Sequence, residues 1–222
     1  MTRAGNDPTR LKKGKGRTAS SHRWLTRQIN DPYVQKARAE GWRSRAAFKL
    51  IELDEKFALL KGARRVLDLG IAPGGWSQVV RKKAPNAKVV GIDLLPTDPI
   101  DGVTIFEMDF MDDAAPAALN EALDGAPDLI LSDMAPNTTG HRQTDHLRIV
   151  GLIETAMDFA IDVLAPGGAF VTKAFQGGET GVLLARLKQT FTRVRHVKPK
   201  ASRAGSSELY LLATGFKGRP TP

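Results

Sequence analysis

The chain contains no cysteine among its 222 residues, which excludes disulfides, thiolate zinc sites and cysteine nucleophiles. It also contains no apolar run near the roughly 18 residues that a membrane-spanning helix needs. The first residues are basic but lack the apolar segment of a secretory signal peptide. These absences together lead us to expect a cytoplasmic protein without membrane contact.

Net negative charge is absent as well, and the positive charge is unevenly distributed. Residues 1–50 hold 13 Lys and Arg against three Asp and Glu. The rest of the chain holds 20 Lys and Arg against 21 Asp and Glu. The formal net charge of +9 therefore comes entirely from the first part of the chain. A basic leader suits a polyanionic partner such as a nucleic acid. The alternative is a tail that only confers solubility.

The composition divides the chain into two parts. Residues 1–30 are rich in Lys, Arg, Gly, Ser and Thr and show no sustained periodicity, so we expect a disordered basic extension. Residues 31–222 have the length of one α/β domain. This domain opens with a helical pattern over residues 31–57, whose apolar face is marked by Trp42, Ala46, Leu50, Leu53 and Phe57.

A strand pattern and a helix pattern flank a glycine-rich turn in this domain. Residues 66–69 are apolar apart from Asp68, residues 70–75 include three glycines, and residues 77–83 have helical character. Such a turn lets the backbone approach a nucleotide-like cofactor. However, Ala72 replaces the second glycine of the dinucleotide motif, and Pro73 removes a backbone N–H that a pyrophosphate could use. A cofactor with a ribose but no pyrophosphate fits better, and S-adenosylmethionine is the obvious candidate.

Strand and helix patterns alternate regularly, which predicts an α/β fold with a mostly parallel sheet and helices on both faces. The last two strands are too close in the chain for a crossover helix, so we expect them to pair antiparallel. The predicted strands are residues 66–69, 88–94, 103–108, 128–132, 169–175, 194–198 and 208–214, and the later helices are 77–83, 115–123, 145–164 and 180–191.

Ligands of open α/β sheets bind outside the carboxyl ends of the parallel strands. Five polar residues lie at or just past these ends, namely Asp68, Asp93, Asp109, Asp133 and Lys173. Asp93 follows the glycine turn by about 20 residues, where a carboxylate accepts hydrogen bonds from ribose hydroxyls. Together these residues predict a binding site at this edge of the sheet.

Lys173 stands out because it lies in a predicted central strand, 169–175, where a buried strand should be apolar. A buried lysine is costly unless it is paired or neutral, and a neutral lysine can act as a general base. The alternative is a side chain that extends past the strand end into solvent. Glu208 opens the antiparallel strand and should therefore reach the same edge. Lys49 can reach it too if its helix packs across that edge.

Five motifs follow one another in the chain: SRAAFKL at 44–50, DLGIAPGGWSQ at 68–78, SDMAPN at 132–137, KAFQG at 173–177, and a segment at 202–210 that begins SR and ends ELY. In this order they resemble the FtsJ/RrmJ (RlmE) family of ribosomal RNA 2′-O-methyltransferases. The resemblance runs from about residue 33 to residue 215. It implies a Rossmann-like S-adenosylmethionine-dependent methyltransferase fold, with a seven-stranded, mostly parallel sheet and an antiparallel last strand.

The resemblance also implies roles for individual residues. The catalytic tetrad of the family falls on Lys49, Asp133, Lys173 and Glu208, and its cofactor contacts fall on Gly74, Trp76, Asp93, Asp109 and Asp133. No metal is required, because the cofactor already carries an activated methyl group. The implied substrate is a uridine ribose in the A-loop of 23S ribosomal RNA, methylated on the assembled large ribosomal subunit by a monomeric enzyme.

Our hypothesis for the chemistry is that Lys173 takes the proton of a ribose 2′-hydroxyl. Asp133 would help to place the methyl group, while Lys49 and Glu208 would orient the ribose. The basic leader would hold RNA phosphates together with a set of cationic side chains, namely Arg43, Arg45, Lys198, Lys200 and Arg203.

Three alternatives stay open. Relatives that act on tRNA or on mRNA caps share the tetrad, so the substrate could be another RNA. A ribosome assembly factor without catalysis is the second alternative. A nicotinamide oxidoreductase is the third, and Ala72, Pro73 and the antiparallel ending disfavour it.

Overall fold

The computed structural model describes residues 25–26, 28–135, 141–177 and 181–219, without the side chains of residues 142, 143, 145 and 146. Most of the basic extension expected at residues 1–30 lies outside the described residues. Residues 25, 26, 28 and 29 are helical, and the Asn30 N–H donates to the Thr26 carbonyl at 3.2 Å. Regular structure is therefore present a few residues before position 31, where we expected it to begin.

Seven strands form one sheet in the order β3-β2-β1-β4-β5-β7-β6. All neighbouring pairs are parallel except the two that involve β7, which is antiparallel to both β5 and β6. The predicted sheet with an antiparallel last strand is therefore confirmed. The strands are β1 Arg65–Leu69, β2 Lys88–Asp93, β3 Val103–Glu107, β4 Leu129–Ser132, β5 Ala169–Phe175, β6 Phe191–Val197 and β7 Glu208–Phe216.

The helical pattern over residues 31–57 forms two helices rather than one. Gly41 has a φ of +76°, and the N–H groups of Gly41 and Trp42 donate to the carbonyls of Arg38 and Ala37. This is the Schellman arrangement that ends a helix at a glycine in the left-handed region. The helices are α1 Pro32–Ala39, α2 Ala46–Phe57, α3 Gly75–Lys83, α4 Ala115–Leu123, α5 Arg142–Val163 and α6 Gly181–Thr190.

Two other boundaries differ from the prediction by three residues, and the rest by no more than two. Helix α5 begins at Arg142 instead of residue 145. Phe191, which we expected to end a helix, begins β6 and pairs with Phe216 at the end of β7. The two rings pack with their centroids 5.5 Å apart, so tertiary pairing overrides the local helical pattern here.

Hydrophobic residues cover both faces of the sheet. Leu67 and Leu69 belong to the core cluster that includes residues of α4, α5 and α6. Val66 belongs to the opposite cluster, which includes residues of α2 and α3. Because side chains alternate along a strand, Asp68 shares the face of Val66. Among the described residues, none of the helices is long and apolar enough to cross a membrane.

Candidate active site

The glycine-rich turn between β1 and α3 is held against the end of β2. The Gly70 N–H donates to the Ile92 carbonyl at 2.8 Å, and the Ala72 N–H donates to Asp93 Oδ2 at 2.9 Å. Gly70 has a φ of +80°, and a Cβ there would lie 2.7 Å from the Met134 side chain. The turn therefore needs glycine at this position for both its backbone angle and its close packing.

Asp93 ends β2 and Asp109 follows β3, and the loops after these two strands lie at the carboxyl edge of the sheet. Asp93 accepts the N–H of Leu95 at 2.9 Å through its second oxygen, and Asp109 accepts the N–H of Met111 at 2.9 Å. Each carboxylate oxygen has a second lone pair that remains able to accept another donor. The same loops expose the large apolar side chains of Leu94, Leu95 and Met111. Carboxylates beside exposed apolar side chains suit a ligand with both hydroxyls and an apolar ring.

The four side chains of the predicted tetrad meet at this edge. Lys173 Nζ lies 2.9 Å from Asp133 Oδ1 and donates to the Asp133 carbonyl at 2.6 Å. Lys49 Nζ lies 2.9 Å from the Glu208 carboxylate and 3.8 Å from Asp133 Oδ1. The four side chains are between 10% and 17% exposed. Two lysines and two carboxylates thus form one nearly buried network.

The fold explains how distant residues reach this network. Phe175 at the end of β5 pairs with Glu208 at the start of β7, and Lys173 pairs with Tyr210. The antiparallel strand therefore delivers Glu208 to the carboxyl edge, as predicted. Lys49 comes from α2, which packs over the same face. Lys173 does not extend into solvent, because its ammonium group ends on Asp133.

Tyr210 joins the network, a role that the sequence motifs did not predict. Its side chain is fully buried, its hydroxyl donates to Asp133 Oδ1 at 2.6 Å, and it accepts from Lys49 Nζ at 3.0 Å. Burial, followed by the charges of Asp133 and Glu208, raises the pKa of Tyr210 well above its usual value. Its role could have been predicted from its position two residues after Glu208, because side chains two apart lie on the same face of a strand.

Asp133 is the shared acceptor of this network. Burial alone would raise the pKa of Asp133, but the charges of Lys173 and Lys49 and the hydrogen bond from Tyr210 outweigh it. The pKa of Asp133 is therefore lowered, and the carboxylate is ionised at neutral pH.

Trp76 and Gly74, which we expected to contact the cofactor, are buried. Trp76 is 3% exposed, and its indole N–H donates to the Ala46 carbonyl at 2.8 Å. Its ring packs on Tyr210 with a centroid distance of 5.5 Å. Gly74 is buried at the start of α3 with a φ of +103°. Trp76 therefore connects the glycine turn to α2 and, through Tyr210, to the buried network.

Several cations that we expected to hold RNA phosphates have partners within the protein. Arg45 contacts the Asp31 carboxylate and the Ala201 carbonyl. Lys198 Nζ donates to the Ser206 carbonyl at 2.7 Å. Arg43 donates to three backbone carbonyls. Arg203 Nε lies 3.3 Å from Asp31, and Lys200 is exposed.

A cavity of about 20 Å³ lies under the glycine turn, lined by residues that include Ser44, Asp68, Trp76 and Asp133. Within the described part of the chain, Ser44 Oγ and Asp68 Oδ1 are buried there without a hydrogen-bond partner. The other Asp68 oxygen accepts from Ser77 Oγ at 2.7 Å. Burial is the main reason that the pKa of Asp68 is raised to about 7, and the charges of Asp133 and Asp93 add to it. Buried polar atoms of this kind require a partner.

We expect Asp68 to make the stability of the protein depend on pH. Its pKa is about 7 when folded and 3.8 when unfolded, so its contribution is full below pH 3.8 and is lost as the pH rises through 7. We compare the free energy of unfolding of Asp68→Asn with that of wild type at pH 5 and at pH 8. The difference should change in favour of the variant by on the order of 2 kcal/mol between these pH values. Urea unfolding at both pH values measures this gain. Equal differences at the two pH values would contradict it.

The residues present fit S-adenosylmethionine. Four carboxylates, Asp68, Asp93, Asp109 and Asp133, lie at or near one edge of the sheet, and one of them has an unpartnered buried oxygen. This group of carboxylates suits a ligand that carries positive charge and ribose hydroxyls, and it would repel a pyrophosphate. Asp93 and Asp109 would hold the ribose and the base, and the Ser44–Asp68 end would hold the amino acid part.

Comparisons with known proteins agree with this geometry. The family model of FtsJ-like methyltransferases matches residues 42–216. The chain is 73% identical to the ribosomal RNA large subunit methyltransferase E of Novosphingobium aromaticivorans, over 99% of this chain and 100% of the relative. It is 69% identical to the protein of that name from Sphingopyxis alaskensis, over 95% and 91% of the two chains.

A solved structure of a ribosomal RNA methyltransferase from Plasmodium falciparum also matches. It is 36% identical to this chain with a TM-score of 0.71, covering 80% of this chain and 100% of the other. The family match spans most of the domain and all five motifs. The chain therefore belongs to the FtsJ-like methyltransferase family.

Proposed function

We propose that this protein transfers a methyl group from S-adenosylmethionine to a ribose 2′-hydroxyl of 23S ribosomal RNA. The observation that supports this most is the buried Lys49–Asp133–Lys173–Glu208 network beside the acidic cofactor edge. The names of the relatives that are 73% and 69% identical support large-subunit ribosomal RNA as the substrate. We further propose a uridine of the A-loop as the target, methylated on the assembled large subunit by a cytoplasmic monomer.

The bound cofactor supplies an activated methyl group on a sulfonium centre. Lys173 would accept the proton of the 2′-hydroxyl as this oxygen takes up the methyl group, and the sulfur of the cofactor would be the leaving group. The proton passes from Nζ to solvent after transfer.

The other three residues position the reacting groups. Asp133 fixes the direction of Lys173 through two contacts, one from its carboxylate at 2.9 Å and one from its carbonyl at 2.6 Å. Lys49 and Glu208 form a pair at 2.9 Å that can donate to and accept from the ribose. Holding the hydroxyl in line with the methyl group supplies a large part of the rate enhancement.

Large ribosomal subunits from cells lacking the endogenous enzyme provide the test. Purified protein and labelled S-adenosylmethionine are incubated with these subunits, with free 23S RNA and with tRNA, and 2′-O-methyl positions are mapped. We expect one new uridine modification in the A-loop, formed on the subunit. Label in tRNA would favour the alternative RNA substrate. Transfer to none of the three would favour a non-catalytic assembly factor.

Ser202 should contribute to methyl transfer by holding Glu208. Its hydroxyl is buried and donates to Glu208 Oε1 at 2.8 Å, so the carboxylate faces Lys49. We expect Ser202→Ala to slow single-turnover transfer about tenfold, the value of one hydrogen bond to a charged group, and Ser202→Thr to retain most activity.

Ser206 offers a matched control for this prediction. Its hydroxyl accepts from the Glu208 backbone N–H at 3.1 Å and has no bond to the carboxylate. Ser206→Ala should therefore transfer methyl groups at close to the wild-type rate. Equal losses in the two alanine variants would show that the loop matters only for folding.

A further inference from the structure

The loop after β2 folds back onto the glycine turn. Residues 94–100 follow Asp93, and they expose Leu94 and Leu95. At the far end of the loop, Ile100 approaches the turn so closely that a Cβ on Gly74 would lie 2.5 Å from Ile100 Cδ1. The position of this loop therefore sets the shape of the cofactor edge beside Asp93.

Arg43 is the side chain that joins this loop to the turn. Its Nη1 donates to the Asp98 carbonyl at 2.6 Å and to the Pro73 carbonyl at 3.3 Å. Its Nη2 donates to the Pro99 carbonyl at 2.6 Å. The Arg43 backbone N–H donates to Gln78 Oε1 of α3 at 2.8 Å. One guanidinium thus links the turn and the loop, while its backbone is fixed to α3.

We infer that Arg43 is a positioning residue for the cofactor site rather than a contact for RNA phosphates. It holds the loop 94–100 in the conformation that binds S-adenosylmethionine, so this inference rests on the proposed function. Three of its five N–H donors are already used by carbonyls. A lysine carries one point charge without the planar fork and cannot reproduce these bonds.

The expected effect is on cofactor affinity. A loop that is held in place before binding does not have to be ordered by the ligand, and this saving appears directly in the dissociation constant. Without the guanidinium, the carbonyls of residues 73, 98 and 99 lose their shared donor. The ligand must then order the loop, and its affinity falls.

Arg81 offers a matched control. It also donates to three backbone carbonyls, those of Asp101 at 3.2 Å, Pro85 at 2.6 Å and Ala87 at 2.9 Å. Two of its partners lie in the loop between α3 and β2 and the third lies at the far end of the β2–β3 connection, so none of them belongs to the glycine turn. Arg43→Gln and Arg81→Gln therefore remove the same kind and number of bonds, and only one of them touches the cofactor edge.

Calorimetric titration with S-adenosylhomocysteine, the reaction product, tests the inference without any need for turnover. We expect Arg43→Gln and Arg43→Lys to bind it about tenfold more weakly than wild type, the value of one to two hydrogen bonds. Arg81→Gln should bind with wild-type affinity while its Tm falls about as far as that of Arg43→Gln. Unchanged binding in Arg43→Gln, or equal weakening in Arg81→Gln, would overturn the inference.

The salt dependence of RNA binding separates the two roles of Arg43. A phosphate contact would lower the slope of log affinity against log salt by about one in Arg43→Gln and leave it intact in Arg43→Lys. We expect the same slope in both variants and wild type; a slope lowered only in Arg43→Gln would refute the positioning role. If wild-type protein binds no S-adenosylhomocysteine, the proposed function itself fails, and the inference fails with it.

Discussion

Replacing Lys173 with alanine is expected to slow methyl transfer by about 10³-fold, within the range that a general base contributes. The affinity for S-adenosylhomocysteine should stay within about twofold of wild type, because the proposed partner of Lys173 is the RNA hydroxyl and not the cofactor. Single-turnover transfer to large ribosomal subunits and calorimetry measure the two effects. Near-normal transfer with cofactor binding intact would contradict the assigned role.

Two further variants refine this prediction. Lys173→Arg keeps a cation beside Asp133 but cannot lose a proton at neutral pH. If the proton transfer is what matters, the arginine variant is as slow as the alanine variant. Lys188→Ala is the control, because Lys188 is exposed on α6 and away from the network. Activity in Lys173→Arg would instead favour a purely electrostatic role for this residue.

Replacing Asp133 with asparagine is expected to lower the free energy of unfolding by about 3 kcal/mol at pH 7 and to abolish methyl transfer. The carboxylate accepts from Tyr210 at 2.6 Å and pairs with Lys173 at 2.9 Å, with Lys49 nearby. Its removal leaves two lysines that are 90% buried with less compensating charge. Urea unfolding measures the loss, and Asp113→Asn, at an exposed acid, is the control.

The pH dependence of this loss is a second signature. The pKa of Asp133 is lowered in the folded protein, so its stabilisation is present above the unfolded value of 3.8 and is lost as the pH falls through the folded value. The difference between wild type and Asp133→Asn should therefore shrink in acid. A difference that is the same at pH 3 and pH 7 would count against the charge network as its cause.

Much of the site could be predicted because it depends on chain order. Strands that alternate with helices give parallel neighbours, and their carboxyl ends gather Asp93, Asp133 and Lys173 at one edge. The short connection before β7 reverses that strand and delivers Glu208 to the same edge. Each step needs only the pattern and the length of each connection.

The remaining features depend on contacts between distant segments. The role of Arg43 depends on carbonyls 30 to 56 residues away, and nothing in its local pattern distinguishes it from an arginine that binds phosphate. The break at Gly41 depends on a backbone angle, although a glycine followed by Trp42 could have suggested a helix end. Tyr210 resembled an ordinary core aromatic, since its hydroxyl partners lie on other elements.

The position of β7 between β5 and β6 bears on the order in which the protein folds. Beyond β5 the strands cannot join the sheet in chain order, because β6 pairs only with β7 and β7 comes later in the chain. Lys49 and Glu208 are 159 residues apart in sequence, and closing so long a loop is slow. The contacts of Asp93 and Asp109 at the cofactor edge join residues that are all between positions 72 and 111. We therefore expect a nascent chain to form this part of the cofactor edge first and to acquire the acceptor network only after β7 inserts.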